Sequence, residues 1–264
     1  MLAGDAPACE LLRHGALEVR GRLVEASNAT LLCGIEHDGV TAECVYKPVR
    51  GERPLWDFPD GTLAGREVAA FLISEAGGWG LVPPTLLRDG PFGPGMVQLW
   101  VDTEEDSDLV ALAPPDDVPD GWRHVLRAED EDGDVVALAH ADHPLLRDLA
   151  VLDVVINNAD RKGGHVLHPP DGRVLGVDHG VSLNTEDKLR TVLWGWIGRE
   201  LTADAVERLG ELRALLEGPL AARLAEHITP AEVRAVGDRI DRLLAEAVHP
   251  APSGKWPPIP WPAF

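Results

Sequence analysis

Three side chains whose oxygens can bind a metal ion lie at the ends of predicted elements, in the most chemically informative part of the sequence. Asn158 and Asp160 follow an apolar helical segment, and Asp178 follows a short predicted strand. Carboxylate and amide oxygens of this kind bind a hard cation such as Mg²⁺ together with substrate phosphates. One carboxylate can hold the metal while another accepts a hydroxyl proton, as in phosphoryl transfer. These residues therefore indicate a phosphotransfer site.

The order of these residues matches a kinase motif. Residues 158–165 read NADRKGGH, and DHG follows at 178–180 after a predicted hairpin. This arrangement resembles the catalytic loop and the later Asp-x-Gly of the phosphatidylinositol 3-/4-kinase-like family, which includes bacterial HipA-type kinases. The resemblance implies that Asp160 is the catalytic base, that Asn158 supports the loop and that Asp178 binds a metal ion.

His165 departs from the family pattern, which has a metal-binding Asn at this position. An imidazole is a poor ligand for Mg²⁺ and a better one for Mn²⁺. We therefore expect His165 to join Asp178 at the metal and activity to be higher with Mn²⁺ than with Mg²⁺.

Residues nearer the N-terminus follow the order of the same fold. Lys47 lies on the third predicted strand, where the family resemblance implies a lysine that contacts phosphate, and Glu67 lies on the next helix, where its ion-pair partner belongs. The remaining nucleotide contacts implied by order are a phosphate-covering hairpin turn and a hinge that binds adenine through backbone groups. They comprise Ser27, Asn28 and Thr30 in the turn, and Gln98 and Trp100 in the hinge.

Each of these residues also has a structural interpretation. Asp160 could be a turn carboxylate and Asp178 the first residue of a β-turn, while Lys47 and Glu67 could be solvated charges. Arg161 and its neighbour Lys162 could contact phosphate or solvent. His165 and His179 could be structural histidines instead of ligands, and for His179 we favour the structural role.

The elements that must position these residues change in type along the chain. Alternating or apolar runs bounded by turns predict strands, and apolar residues at helical spacing predict helices. Strands are predicted at 16–24, 30–35, 41–49, 81–87 and 95–101, with a helix capped by Thr62 between the third and fourth. Further along come a helix at 144–157, a hairpin at 166–168 and 174–177, a helix at 191–197 and three helical segments between 202 and 248. The fold class expected is α+β with a bilobal, protein-kinase-like arrangement.

The predicted domain organisation is an N-terminal nucleotide-binding lobe (1–101) and a C-terminal catalytic lobe (102–264). An acidic insertion is expected at about 102–142, with a short helix at 108–113. The tail, 249–264, holds six prolines, so it cannot form a helix or a central strand, and its two tryptophans are expected to dock. Since Trp194 and Trp196 are two positions apart, at least one of them is expected near the surface or a partner.

Composition excludes several classes of protein. The 264 residues carry 24 Lys and Arg against 44 Asp and Glu, a net charge of −20, and 45% are hydrophobic. This hydrophobic content supports a folded core, and the charge disfavours binding to nucleic acid or to anionic membranes. No apolar run reaches the ~18–20 residues of a membrane span, and no signal peptide is evident. Three cysteines without metal-binding spacing indicate buried thiols and a cytoplasmic location.

The function predicted is an ATP-dependent kinase that moves the γ-phosphate to a hydroxyl of a protein or small soluble molecule, with Mg²⁺ or Mn²⁺. A lipid acceptor is disfavoured by the acidic charge. The alternative is a pseudokinase or nucleotide-sensing module without phosphoryl transfer, and a weaker one is transfer of AMP. The sequence does not determine the oligomeric state.

Overall fold

The protein combines helices with antiparallel sheets. The computed structural model describes residues 6–23, 29–103, 109–129 and 133–264. Within these ranges the elements, in chain order, are α1 (Ala6–His14), β1 (Ala16–Arg22), β2 (Leu31–His37), β3 (Val40–Pro48), α2 (Leu63–Ala76), β4 (Thr85–Gly90), β5 (Gly93–Leu99), β6 (Val110–Ala113), β7 (Trp122–Glu129), β8 (Val135–Ala141), α3 (Pro144–Ile156), β9 (Val166–Leu167), β10 (Leu175–Gly176), α4 (Ala203–Leu215), α5 (Pro219–Leu224) and α6 (Pro230–Glu246). The predicted mixture of α and β structure is confirmed.

The first five strands form one antiparallel sheet in the order β1-β2-β3-β5-β4. Alternation along β3 places Tyr46 on one face of the sheet and Lys47 on the other. Tyr46 is fully buried in a small hydrophobic cluster with residues of α1, β2 and β5. Lys47 therefore points away from this cluster. The helix α1 was not predicted from the sequence.

The small cluster also contains two of the three cysteines. Cys33 on β2 and Cys44 on β3 are register partners, and both are free and fully buried. The third, Cys9, is also free and buried, and it belongs to the larger hydrophobic cluster. Burial raises the pKa of the Cys44 thiol to about 12. The expected buried thiols are confirmed.

Helix α2 begins at the predicted N-cap. Thr62 Oγ1 accepts a hydrogen bond from Gly65 N–H at 2.9 Å, and the Glu52 carboxylate accepts from the N–H groups of Leu63 and Ala64 at 2.9 and 2.8 Å. These contacts satisfy N–H groups that have no partner within the first helical turn. The helix is buried along most of its length, so its orientation and that of Glu67 are fixed by packing.

The described part of the acidic stretch contains a second antiparallel sheet, with strand order β6-β8-β7. The helix predicted at 108–113 was wrong, because Val110–Ala113 forms strand β6. Four residues are too few to distinguish a helix from a strand by periodicity, and pairing with β8 decides the conformation.

Helices α2 to α6 contribute residues to the larger hydrophobic cluster. Helix α3 is part of this cluster along most of its own length. Pro144 occupies the first turn of α3, and Asn157 ends it in a left-handed conformation with φ 51°. The three helices predicted between 202 and 248 are present as α4, α5 and α6. No helix in the described ranges is both long and apolar enough to cross a membrane.

Two predictions after α3 were wrong. The segment 191–197 contains only a short 3-10 turn at Trp194–Trp196 instead of a helix. Both tryptophans are buried, since the turn places them against different neighbours: Trp194 Nε1 donates to Pro258 O, and Trp196 Nε1 donates to Asp142 Oδ1. The argument from helix faces failed because the segment is not an α-helix.

The tail from residue 249 onward is irregular, as its prolines predict. Trp256 docks on the protein, with its ring centroid 4.0 Å from Lys188 Nζ, whereas Trp261 is 81% exposed. The docking prediction therefore holds for the first tryptophan alone.

Candidate active site

Lys47 joins three elements of the fold. Its Nζ lies 2.7 Å from Glu67 Oε1 on α2 and 2.6 Å from Asp178 Oδ1, which follows β10. The other Glu67 oxygen accepts a hydrogen bond from the backbone N–H of His179 at 2.8 Å. Three residues that lie far apart in the sequence are thus brought together at one point.

The charges of this cluster depend on one another. Burial alone would lower the pKa of Lys47, but Asp178 and Glu67 outweigh it, so the pKa is raised and the amine stays cationic. The charge of Lys47 lowers the pKa of Asp178, whose side chain is half exposed. Burial raises the pKa of Glu67 against the opposing effect of Lys47. Asp178 is therefore the ionised, solvent-accessible carboxylate of the cluster.

His165 lies beside Asp178, with Nε2 3.4 Å from Asp178 Oδ2. Its other ring nitrogen, Nδ1, accepts a hydrogen bond from the Lys162 N–H at 3.5 Å. Burial lowers the pKa of His165 to about 4, so the imidazole is neutral near pH 7. A neutral imidazole next to an ionised carboxylate is a pair of possible metal ligands.

Asp160 lies in the loop after α3. Its backbone N–H donates to Asn158 Oδ1 at 3.0 Å, and its Oδ2 lies 3.9 Å from Lys162 Nζ. Burial raises the pKa of Asp160 to about 6, an effect that the charge of Lys162 opposes. Asn158 is fully buried and donates from Nδ2 to Asp153 Oδ1 at 3.0 Å. Asn158 therefore holds the loop between Asp160 and helix α3.

A buried ion pair beneath this loop was missed by the sequence interpretation. Arg161 and Asp153 are fully buried, with Arg161 Nη2 2.9 Å from Asp153 Oδ1. Arg161 also donates to the backbone oxygens of His165 and Val177, at 3.2 and 3.0 Å. The available signal was an aspartate inside the apolar segment of α3, since a buried charge requires a partner.

The same arginine contacts the segment that carries Asp178. Arg161 Nη2 lies 2.6 Å from His179 Nε2, and burial holds the pKa of this fully buried imidazole well below its usual range. A Cβ atom at Gly176 would lie 2.9 Å from Arg161 Nη2, so this close approach requires glycine. Arg161 was expected to contact either phosphate or solvent. It is instead buried and connects the Asp160 loop to the Asp178 segment. The structural role favoured for His179 agrees with its burial.

Of the predicted nucleotide-covering and hinge residues that the structure describes, Gln98 lies in the first sheet, Thr30 directly precedes β2 and Trp100 directly follows β5. Ser27 and Asn28 are outside the described residues. Thr30 is buried, and its backbone oxygen accepts from Leu23 N–H at 3.0 Å. Gln98 is buried in β5 with Nε2 donating to Thr85 Oγ1 at 2.8 Å, and Trp100 N–H donates to Glu43 O at 3.0 Å.

Asp178 and His165 could hold a metal ion only with additional ligands. In the described ranges no group of three or more His, Cys, Asp or Glu side chains is arranged to bind a metal. Mg²⁺ is commonly bound by one or two carboxylates, with phosphates and water completing its six ligands. The half-exposed Asp178 carboxylate and the neutral His165 fit such a partial site.

The tail also reaches this region. Gly163 N–H donates to Ala263 O at 2.8 Å, and a Cβ atom at Gly163 would lie 2.1 Å from the nearest atom of the Phe264 ring. The Phe264 ring therefore packs directly on the backbone of the loop that follows Asp160.

Comparison with known proteins gives one close match in sequence. No protein-family model matches the chain. It is 52% identical over 263 residues to Protein Rv2133c of Mycobacterium tuberculosis, a match that covers 96% of this chain and 94% of that protein. Among solved structures, it is similar to the Helicobacter pylori proinflammatory kinase CtkA, with a TM-score of 0.46 and 9% identity over 90% of this chain and 94% of that one. At this TM-score the likeness establishes neither fold nor activity.

Proposed function

This chain belongs to the same family as Protein Rv2133c of Mycobacterium tuberculosis, and from its own site we propose that it is an ATP-dependent phosphotransferase with a bilobal, protein-kinase-like fold. It moves the γ-phosphate of ATP to a hydroxyl group of a protein or small soluble molecule. The observation that carries this proposal is the convergence of Lys47, Glu67 and Asp178 at hydrogen-bond distance from three separate elements. A cation of fixed position beside an accessible carboxylate suits a polyphosphate and its metal.

Lys47 supplies the positive charge for the phosphates. Its Nζ is held by Glu67 from one side, and its contact with Asp178 lies on the more exposed side of the cluster. A phosphate oxygen can take the place of the Asp178 oxygen on Lys47 while Glu67 keeps the amine in position. The phosphate then replaces Asp178 as the negatively charged partner of Lys47, so the exchange leaves the buried amine paired.

Asp160 acts on the acceptor hydroxyl. A general base works best when its pKa lies near the working pH, and burial raises the pKa of Asp160 to about 6. Its backbone is fixed through Asn158, and its side chain is about one-third exposed, at 32%. The carboxylate can therefore orient a hydroxyl group that arrives from solvent and accept its proton.

Asp178 and His165 are the residues that would hold Mg²⁺ or Mn²⁺. When bound, the metal ion would neutralise charge on the transferring phosphates. The imidazole favours Mn²⁺ over Mg²⁺, so we expect a higher initial rate with Mn²⁺ at equal nucleotide concentration. Equal rates with the two ions would contradict the assignment of His165 to the metal.

The acceptor and the adenine contacts follow from charge and order. The net charge of −20 disfavours an anionic lipid surface and leaves a protein or a soluble metabolite as acceptor. The adenine would lie near Gln98 and Trp100, and the phosphates near Thr30 and the segment with Ser27 and Asn28.

Substitution of Lys47 tests the proposal. With ATP labelled at the γ-phosphate, we expect Lys47→Ala to lower self-phosphorylation and phosphate release by on the order of 10²–10³-fold, because the phosphates lose their fixed cation. Lys255→Ala, which removes an exposed lysine of the tail, should leave both rates unchanged. A protein that neither gains thermal stability from ATP with Mg²⁺ or Mn²⁺ nor releases labelled phosphate would overturn the proposal.

A second candidate function is nucleotide sensing without phosphoryl transfer. It is favoured by the occupation of both Asp178 oxygens, by Lys47 at 2.6 Å and His165 at 3.4 Å. Thermal stabilisation by ATP without release of the γ-label would support this candidate. Retention of an α-label on the protein would instead indicate transfer of AMP.

A further inference from the structure

The His179 side chain lies between the ion pair beneath the Asp160 loop and the Glu67 carboxylate. It is fully buried, with Nε2 2.6 Å from Arg161 Nη2 and Nδ1 3.9 Å from Glu67 Oε2. Glu67 is buried too, and its other oxygen lies 2.7 Å from Lys47 Nζ. The imidazole therefore separates Arg161 from the carboxylate that holds Lys47.

Arg161 has a fixed orientation, because every N–H of its guanidinium has an acceptor. Nε and one N–H of Nη2 donate to the Asp153 carboxylate at 3.1 and 2.9 Å. Nη1 donates to the backbone oxygens of His165 and Val177. The second N–H of Nη2 is directed to His179 Nε2. A guanidinium has five N–H donors and no acceptor, so Nε2 accepts this hydrogen bond.

This contact also fixes the tautomer of the imidazole. Since Nε2 accepts, the ring is neutral and its proton is on Nδ1. Nδ1 is buried and has no hydrogen-bond partner among the described residues. Glu67 Oε2, which accepts from the His179 backbone N–H, lies 3.9 Å from it, about 1 Å beyond an ordinary N–H···O distance.

An N–H group on this side of the ring stabilises the Glu67 carboxylate. A buried carboxylate is costly unless cations and N–H groups compensate its charge. One oxygen of Glu67 has Lys47, and the other has the backbone N–H of His179. The attraction between this charge and a further N–H dipole is little screened, because both side chains are buried.

We propose that His179 is a positioning residue whose Nδ1–H attracts the Glu67 carboxylate and thereby keeps Lys47 in place. This role rests on the proposed phosphotransfer, in which Lys47 contacts the phosphates. It matters when a phosphate replaces Asp178 on Lys47, because Glu67 is then the remaining carboxylate on the amine. The contact of Nε2 with Arg161 serves the packing of the loop, and the Nδ1–H serves the site.

Two amide side chains separate the functions of the two ring nitrogens. His179→Gln can keep an oxygen at the position of Nε2, whereas the shorter His179→Asn can keep an N–H at the position of Nδ1. With γ-labelled ATP, we expect kcat/KM in His179→Gln to be at least about fivefold below wild type and below His179→Asn, the effect of about 1 kcal/mol. Urea unfolding should show the opposite order, with His179→Asn less stable because Arg161 loses a buried acceptor. Activity that instead follows stability would show that the side chain is structural alone.

A double substitution measures whether the effect passes through Glu67. In Glu67→Gln, which lacks the carboxylate charge, adding His179→Gln should lower kcat/KM no further, whereas a structural effect would add to the first. His124→Gln, which changes an exposed histidine of β7, should leave kcat/KM within about twofold of wild type. Full additivity, or wild-type activity in His179→Gln, would overturn the role of His179 and leave the phosphotransferase function in place.

The wild-type protein distinguishes that outcome from a failure of the proposed function. If it binds ATP with Mn²⁺ but transfers no phosphate, the affinity for ATP measured by calorimetry replaces kcat/KM. His179→Gln should then weaken ATP at least about fivefold, by the same loss of about 1 kcal/mol, and unchanged affinity would overturn the role of His179. A protein that neither binds nor turns over ATP would overturn both the proposed function and this role.

Discussion

At Asp160, the burial that would suit the carboxylate to the proposed role of base also makes its ionised form costly to the fold. Its pKa rises from the ordinary 3.8 to about 6, so the folded state binds a proton more tightly than the unfolded state does. The favourable contribution of the protonated carboxyl is fully present below pH 3.8 and is lost as the pH rises through 6. At pH 8 the ionised side chain therefore destabilises the protein.

Asp160→Asn should separate these two effects. We expect it to abolish the rise of kcat/KM with pH, which in the wild type should have a midpoint near pH 6, because the base must be ionised. The same substitution should raise the free energy of unfolding at pH 8 by on the order of 1–2 kcal/mol, allowing for solvent at the partly exposed side chain. At pH 3.5 the gain should vanish.

Urea unfolding at the two pH values measures the stability part of this prediction. The exposed Asp120 offers a matched control, since Asp120→Asn should leave stability within about 0.5 kcal/mol at either pH. A loss of stability in Asp160→Asn at pH 8 would contradict the assigned destabilisation.

Removing one partner of the ion pair between Asp153 and Arg161 should destabilise the protein, in contrast to Asp160→Asn. Both side chains are fully buried, so Arg161→Met should cost about 3–5 kcal/mol by leaving the Asp153 carboxylate without its cation. Adding Asp153→Leu to that variant should cost less than the sum of the two single changes, because no unpaired charge then remains. Urea unfolding of the four proteins gives the comparison, and strict additivity would show that the two groups are not coupled.

At the scale of elements, the tail acts on the loop that contains Asp160. Ala263 O accepts from Gly163 N–H, the Phe264 ring covers Gly163, and Pro258 O accepts from Thr191 N–H at 3.0 Å. Arg190, whose charge also acts on Asp160, donates from Nη2 to Ile259 O at 3.2 Å. The tail is therefore a structural support of the site.

Substitution of two adjacent glycines tests whether the loop depends on packing of the Phe264 ring or only on the backbone flexibility of glycine. Gly163→Ala should cost about 1–3 kcal/mol and lower activity, because its Cβ would displace the Phe264 ring. Gly164→Ala should be tolerated, since its Cβ would meet nothing within 4 Å. Adding Phe264→Ala to Gly163→Ala should recover part of the loss by removing the clash. Thermal unfolding and activity of these variants give the measurement, and equal effects of the two glycine substitutions would contradict the packing argument.

Elements with sustained periodicity were predictable from the sequence. The correct elements followed from the alternation of β1 and β3, the apolar run of β2, the Thr62 cap of α2 and the apolar spacing of α3, because each of these signals is local. The errors at 108–113 and 191–197 have a different origin. These short segments take their conformation from pairing with β8 and from contacts with the tail, which no local pattern contains.

At the scale of the whole molecule, a candidate site was predictable in its residue types and only partly in its contacts. Linear order identified Lys47, Glu67 and Asp178, which the structure brings together. It did not identify the support from Asp153 and Arg161 or from Phe264, since these contacts join positions 8 and 101 residues apart through the packed fold. The net charge of −20 describes the whole chain, whereas Lys47 places a fixed positive charge between Glu67 and Asp178, so the proposed phosphate contact depends on local charges and not on the net charge.

The three buried thiols provide this molecule with its own reporters of partial opening. Cys33 and Cys44 belong to the smaller hydrophobic cluster and Cys9 to the larger one. A thiol-specific reagent can label each of them only when its surroundings open, so the order of labelling by mass spectrometry separates local opening of the first sheet from cooperative unfolding of the whole chain. The same protection means that a cysteine introduced at an exposed position could carry a fluorescent probe without removal of the native ones.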